Sequence, residues 1–143
     1  MAAARAKGYT LISVISAHSW PGPSLTCGEN CFIADGASIE PGATLGEGVY
    51  VWSNAIVGHH ATVGDHAWIA AGSAIGGGAQ VGARCFVALN ATIGNEVEIG
   101  EECLLGARTL TTRNLPHKAV VIERDSEPIR LTSDQFLRIS KLR

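Results

Sequence analysis

Counting in sixes from Ile33, every step lands on an aliphatic residue: Ile33, Ile39, Leu45, Val51, Val57, Val63, Ile69, Ile75, Val81, Val87, Ile93, Ile99 and Leu105. Cys27 keeps the same phase one step earlier. Two residues before each aliphatic stands a small or modest side chain, such as Cys31, Ala37, Ala43, Val49, Ala55, Ala61, Ala67, Ser73, Ala79, Cys85, Ala91, Val97 and Cys103. A helix face repeats every ~3.6 residues, so a strict period of six excludes a helix. Residues two apart on a strand share a face. Each unit of six therefore sends one small and one aliphatic side chain inward, and then turns. Short strands that meet at corners and stack coil on coil, through parallel ladders about 4.8 Å apart, meet this requirement.

The turn chemistry agrees. Three residues after the aliphatic come Gly36, Gly42, Gly48, Asn54, Gly72, Gly78 and Asn90, residue types that tolerate positive φ at a corner. This accounts for much of the 17 glycines in 143 residues. The length fits one domain, 1–143, with coils over about 9–112 and a loop, an extended stretch and a short helix over 113–143. Thr132 with Gln135 three later is a capping-box start for that helix. Its Phe136, Leu137 and Ile139 are expected to pack over the coils or onto a neighbouring chain.

Hydrophobic residues make up 46% and charged residues 17%, which excludes a disordered chain. The formal net charge of −2 offers no basic excess for nucleic acid or an anionic membrane surface. No apolar stretch is long enough for a membrane-spanning helix. The opening "MAAARAKGYTLISVIS" has an apolar run too short and too serine-broken for an export signal. It reads as the first folded strands, and the expected compartment is the cytoplasm.

Three of the five histidines lie in "VGHHATVGDH", residues 57–66. His60 and His66 fall three residues after an inward aliphatic, the corner slot held elsewhere by Gly and Asn. Histidine is among the few other residues enriched at positive φ. His59 lies two after Val57, an outward slot that Asp35, Pro41, Glu47, Ser53, Asp65, Ala71 and Gly77 hold elsewhere. Nothing in the backbone asks for an imidazole there. Such a side chain is suited to take up a proton near neutral pH.

With the uninterrupted sixes over residues 25–112, the sequence resembles the hexapeptide-repeat acyltransferases. "NAIVGHHATVGDHAWIAAGSAIGGGAQVG" is similar to the core of the bacterial nucleotide-sugar acyltransferases, the group related to sialic acid O-acetyltransferases and aminosugar N-acetyltransferases. The resemblance implies an all-β, left-handed parallel β-helix of triangular section, three sixes to a coil. It implies acetyl-CoA as acyl donor, a hydroxyl or amino group of a sugar or nucleotide sugar as acceptor, and a homotrimer with sites between subunits. His59 matches the family's general base, in its "V-G-H" setting. Gly77, 18 residues on and so stacked above it, matches the backbone N–H that holds the oxyanion. Ala88, Asn90, Gly106 and Arg113 are candidates for the coenzyme A wall, with Asn54 and His60 for the acceptor. Trp52 and Trp68 suit either a subunit interface or a sugar-stacking wall. Many relatives carry an acidic residue directly after the catalytic histidine, where this chain has His60. Many also carry an N-terminal nucleotide-binding domain, and with coils starting by about residue 25 the acceptor is expected to be held without one.

At 18 residues per coil, Cys85 and Cys103 stack in the small inward column, as does Cys31 three coils below Cys85. They are expected to be buried free thiols, and no CxxC occurs. None adjoins His59, so transfer is expected to be direct, within a ternary complex. Two other readings share the coil. A γ-type carbonic anhydrase needs three histidine ligands for zinc, two of them spaced H-x4-H, a spacing absent from His59, His60 and His66. A non-catalytic scaffold or surface-binding repeat predicts a regular outward ladder, which the irregular outward slots do not supply.

Overall fold

A computed structural model describes residues 1–23 and 25–140. Two-residue strands form three parallel sheets, the faces of a left-handed triangular prism. The first face holds Val14–Ile15, Phe32–Ile33, Tyr50–Val51, Trp68–Ile69, Phe86–Val87, Leu104–Leu105 and Val120–Val121. The second holds Ser38–Ile39, Ile56–Val57, Ala74–Ile75, Thr92–Ile93 and Leu110–Thr111. The third holds Thr26–Cys27, Thr44–Leu45, Thr62–Val63, Gln80–Val81 and Glu98–Ile99. The prism is all-β, as the period of six demands. Along a face the backbone N–H groups donate alternately to the coil above and the coil below, as Gly58 does upward to the Ile75 carbonyl and Ile39 downward to the Trp20 carbonyl, both at 2.8 Å.

The two inward columns form the core. Ile33, Val51, Ile69, Val87 and Leu105 stack at 0% exposure behind the first face. The small column at the corners (Ala37, Ala55, Ala61, Ala67, Ala79 and Ala91 among them) is equally closed to water. Ser73 joins it by donating its hydroxyl to the Ala70 carbonyl at 2.6 Å, which satisfies its one buried polar atom. All four cysteines are free, and Cys31, Cys85 and Cys103 are buried. Their thiols each lie 3.1 Å from a backbone carbonyl, of Gly46, Gly100 and Pro116 in turn.

The solenoid runs from Val14 to Val121, later at both ends than the 9–112 expected. At the start, α1 (Ala2–Ala6) precedes the first strand, Val14–Ile15, which lies in the opening stretch read as strand. Alanine is the strongest helix former, and Arg5 ties this turn to Glu29 at 2.8 Å and Glu47 at 3.1 Å. At the end, the last coil is shorter by two residues. Every earlier rung pairs residues 18 apart, whereas Ile99 bridges Leu115 and Leu105 pairs with Val121. The deletion falls at residues 112–114, so the phase of six breaks in the sequence while the ladder continues.

Beyond Ile122 the chain leaves the prism. α2 (Ser133–Ser140) opens on the expected capping box, with Gln135 Oε1 accepting the Thr132 N–H at 2.9 Å and Thr132 Oγ1 accepting the Gln135 N–H at 3.3 Å. Phe136, Leu137 and Ile139 are exposed, so they do not pack over the chain's own coils.

Candidate active site

The prism has three edges, and the edges sort the sequence candidates. His59 and His60 sit on the edge between second and third faces, between Ile56–Val57 and Thr62–Val63. Gly77, Asn95 and Arg113 follow on the same edge in later coils. His66 lies on the edge between third and first faces, apart from the other two. Asn54, Ala88, Asn90 and Gly106 lie on the edge between first and second faces. Within one chain the second face therefore separates these four from His59.

His60 and His66 hold φ of 57° and 58°, as corner residues should. Asn54 at 58° and Asn90 at 56° do the same. Arg84, Glu96, Glu102 and Arg108 also take this slot, so its chemistry is broader than Gly, Asn and His. The corner side chains fold down onto the coil below. A Cβ built on Gly42 would stand 2.7 Å from His60 Cδ2, and one on Gly48 would stand 2.5 Å from His66 Nδ1.

His59 folds upward instead. A Cβ on Gly77 would lie 2.5 Å from His59 Nε2 and 2.6 Å from Cε1. The ring thus rests on the bare Cα of a glycine whose φ is ordinary, and the glycine is needed for space alone. The imidazole is exposed and Gly77 is buried beneath it. His59 Nδ1 is 3.2 Å from His60 Nδ1, with the rings crossing at 78°. The His59 backbone N–H donates to Glu40 Oε2 at 2.9 Å.

The Gly77 N–H already has an acceptor, Asn95 Oδ1 at 3.0 Å. The sequence pattern does not single out Asn95 or Glu40 as site residues, although the register points to the first. An outward-slot N–H is capped by the side chain 18 residues later, as Glu47 N–H is by Asp65 Oδ1 at 2.8 Å. Gly77 offers His59 no such cap, and Glu40 supplies one from below.

The remaining candidates are placed as follows. A groove of about 600 Å³ runs along the third face toward the edge it shares with the first, lined by Thr44, Thr62, Gln80 and Glu98 with Gly46, Gly64 and Gly82, and not by His59. Trp68 belongs to an aromatic column on the first face, with ring centroids 5.0 Å from Tyr50, 5.3 Å from Trp52 and 6.5 Å from Phe86. Neither tryptophan stands beside His59. Burial pushes the Cys85 thiol up to about 11, and it raises Cys27 as well. Among the described residues no three His, Cys, Asp or Glu side chains converge on one point. No helix among them is long and apolar enough to cross a membrane.

Fold and edge together define the class: a left-handed β-helix of hexapeptide repeats that lifts an imidazole pair out of one edge. The chain belongs to the GMPPB C-terminal domain family, whose model matches residues 15–129. Among solved structures it is similar to a histidine-to-asparagine variant of perosamine N-acetyltransferase from Caulobacter crescentus, in complex with CoA and GDP-perosamine. The TM-score is 0.84 at 27% identity, over 85% of this chain and 58% of that one. PerB from the same organism, with the same two ligands, gives 0.82 at 28% identity, over 83% and 57%. The acetyltransferase domain of PglB from Neisseria gonorrhoeae, in complex with acetyl coenzyme A, shares the fold at 0.82 and 22% identity, over 90% and 62%. The chain spans well under the full length of these relatives. Curated protein sequences give no significant match.

Proposed function

We propose that this chain transfers an acetyl group from acetyl-CoA to a hydroxyl or amino group of a sugar or nucleotide sugar. One observation carries the reading: the His59 ring lies against the bare Cα of Gly77, on a solenoid similar to one solved with CoA and GDP-perosamine. His59 Nε2 is the base. The acceptor's oxygen or nitrogen attacks the thioester carbonyl carbon while Nε2 takes its proton. The carbon–sulfur bond then breaks, and the thiolate recovers that proton from the imidazolium as free CoA thiol. Imidazole chemistry suits both transfers near neutral pH.

The tetrahedral oxyanion needs a donor, and Gly77 N–H is the nearest backbone candidate. Its bond to Asn95 Oδ1 has to be exchanged for one to the acyl oxygen, which requires only an exposed side chain to swing aside. No cysteine stands on the His59 edge, which favours direct transfer over an acyl-enzyme.

Asn54, Ala88, Asn90 and Gly106 belong to the site only if a neighbouring chain brings its first–second edge to the His59 edge. A homotrimer with one such cleft per pair of chains meets that condition. CoA then lies against Ala88, Asn90 and Gly106 of one chain, with Arg113 near a phosphate, and Asn54 faces the acceptor. Dependence on acetyl-CoA, a cytoplasmic metabolite, puts the reaction in the cytoplasm.

The test is a panel of amino and hydroxy sugars, free and nucleotide-linked, beginning with GDP-perosamine, incubated with acetyl-CoA and read by released thiol. His59→Ala should keep the assembly and lower turnover by about 10²- to 10⁴-fold. Full rate in that variant rejects His59 as base.

A further inference from the structure

We infer that His60 is the positioning residue for His59: its Nδ1 accepts the Nδ1–H of His59, which leaves the His59 Nε2 lone pair free to take the substrate proton. The inference rests on the acyl-transfer reading and replaces the acceptor contact expected of His60.

The two Nδ1 atoms are 3.2 Å apart. Two unprotonated ring nitrogens do not approach in this way, so one of them carries a hydrogen. Both rings are held independently of each other. His60 is fixed by its corner φ of 57°, by its N–H donating to the Pro41 carbonyl at 3.1 Å, and by its ring lying over Gly42. His59 is fixed by its N–H on Glu40 Oε2 and by its ring over Gly77. The contact is therefore built by two stacked coils, and neither ring has to find the other.

The direction of the bond decides the chemistry. If His60 donates, His59 must carry its own proton on Nε2 and has no lone pair left for a substrate. If His59 donates, Nε2 is bare. A neutral histidine free in water prefers its proton on Nε2, the unproductive form, and the tautomer in a protein is set by what the other nitrogen bonds. His60 as acceptor reverses that preference. When His59 becomes imidazolium in the reaction, its bond to His60 turns charge-assisted and tightens. Of the charged groups near the pair, Glu40 takes the His59 N–H and Glu96 folds over Gly78 above His60, while Gly77 and Asn95 on the edge above His59 carry no charge.

The corner slot allows a clean test. His60→Gly keeps the backbone, since Gly42 and Gly78 hold the same slot at φ 77° and 69°. His60→Asn also keeps it, as Asn54 and Asn90 do, and restores an acceptor oxygen. With acetyl-CoA and the best acceptor of the panel, His60→Gly should lower kcat by about 10- to 100-fold at unchanged KM, the scale found when a metal-bound histidine loses its orienting partner. His60→Asn should recover most of that rate. Nitrogen-15 spectra of histidine-labelled protein at a pH where both rings are neutral should show the His59 proton on Nδ1, moving to Nε2 in His60→Gly. A His60→Gly variant with wild-type kcat, or a His59 proton on Nε2 in the intact protein, overturns the inference. The spectra need no turnover, so they separate failure of this pairing from failure of the acyl-transfer reading.

Discussion

Gly77→Ala isolates the geometry of the site from the stability of the fold. The new Cβ would stand 2.5 Å from His59 Nε2, 2.6 Å from Cε1 and 3.0 Å from Cδ2. Carbon atoms settle at about 3.5 Å or more, so the ring has to retreat by roughly 1 Å or change rotamer. The backbone cannot easily give instead, because Gly77 lies in a ladder-bound turn with Gly78 N–H on the His59 carbonyl at 2.8 Å. Its φ is ordinary, and the equivalent slot one coil portion earlier already holds an alanine, Ala71. The fold should therefore lose nothing. A glycine-to-alanine change at a compatible position gains about 0.4–1 kcal/mol from the unfolded state. A reacting group misplaced by about 1 Å costs on the order of 10²-fold in rate. The expected result is a variant that melts at or slightly above the wild-type temperature and turns over about a hundredfold more slowly. Calorimetry and the thiol-release assay measure the two halves. A Gly77→Ala variant with unchanged kcat would show that the ring's seat on Gly77 is irrelevant to function, and an unfolded one would show that the glycine serves the backbone after all.

Asn95→Ala removes the side chain that holds Gly77 N–H at 3.0 Å, so an acyl oxygen no longer competes for it; the rate should hold or rise, and a tenfold fall in steady-state assays would mean that the carboxamide itself serves the reaction. With the Cys85 thiol pushed up to about 11 by burial, it stays protonated at pH 8 and inert to thiol reagents. Mass spectrometry should find labelling confined to half-buried Cys27 until denaturant is added, and rapid native labelling of Cys85 would contradict the packing. Ile69→Ala empties a fully buried rung of the aliphatic column and should cost about 2–5 kcal/mol in urea melts, with a loss below about 1 kcal/mol refuting the column as the core.

Much of this structure was legible because a solenoid repeats one physical demand. The inward columns, the corners at His60, His66, Asn54 and Asn90, and the stacking of Gly77 on His59 all follow from counting in sixes once three sixes make a coil. What escaped the count shows where the repeat stops dictating. α1 lies outside the coils, where only alanine propensity speaks. The two-residue deletion near 112–114 hid the last rung, since a phase shift reads as the end of a pattern although Leu115 and Val121 still pair. Arg84 and Glu102 fall on the counted corner slot, but neither is a residue type that signals positive φ, and the φ of 58° and 59° comes from the corner itself. Glu40 reaches His59 by side-chain length, which register alone does not encode. The division of the candidates between two edges needed only the order of the faces, and it separates Asn90 and Gly106 from His59 more sharply than any single distance.

The histidine pair also shows why a coil of this kind can afford a reactive side chain. Asn54, His60, His66 and Asn90 each fold onto a glycine of the coil below, and His59 folds onto one of the coil above. His60 descends onto Gly42 and His59 ascends onto Gly77, so the two consecutive imidazoles are received by coils on opposite sides of their own. Adjacent corner residues would otherwise splay apart, and here the opposed directions leave their Nδ1 atoms within hydrogen-bonding reach. The orientation of the ring is thus set by which rungs lack a Cβ, and not by a dedicated loop or an inserted domain. It follows that giving either glycine a Cβ, with all other residues kept, would leave the prism intact and dislodge the pair.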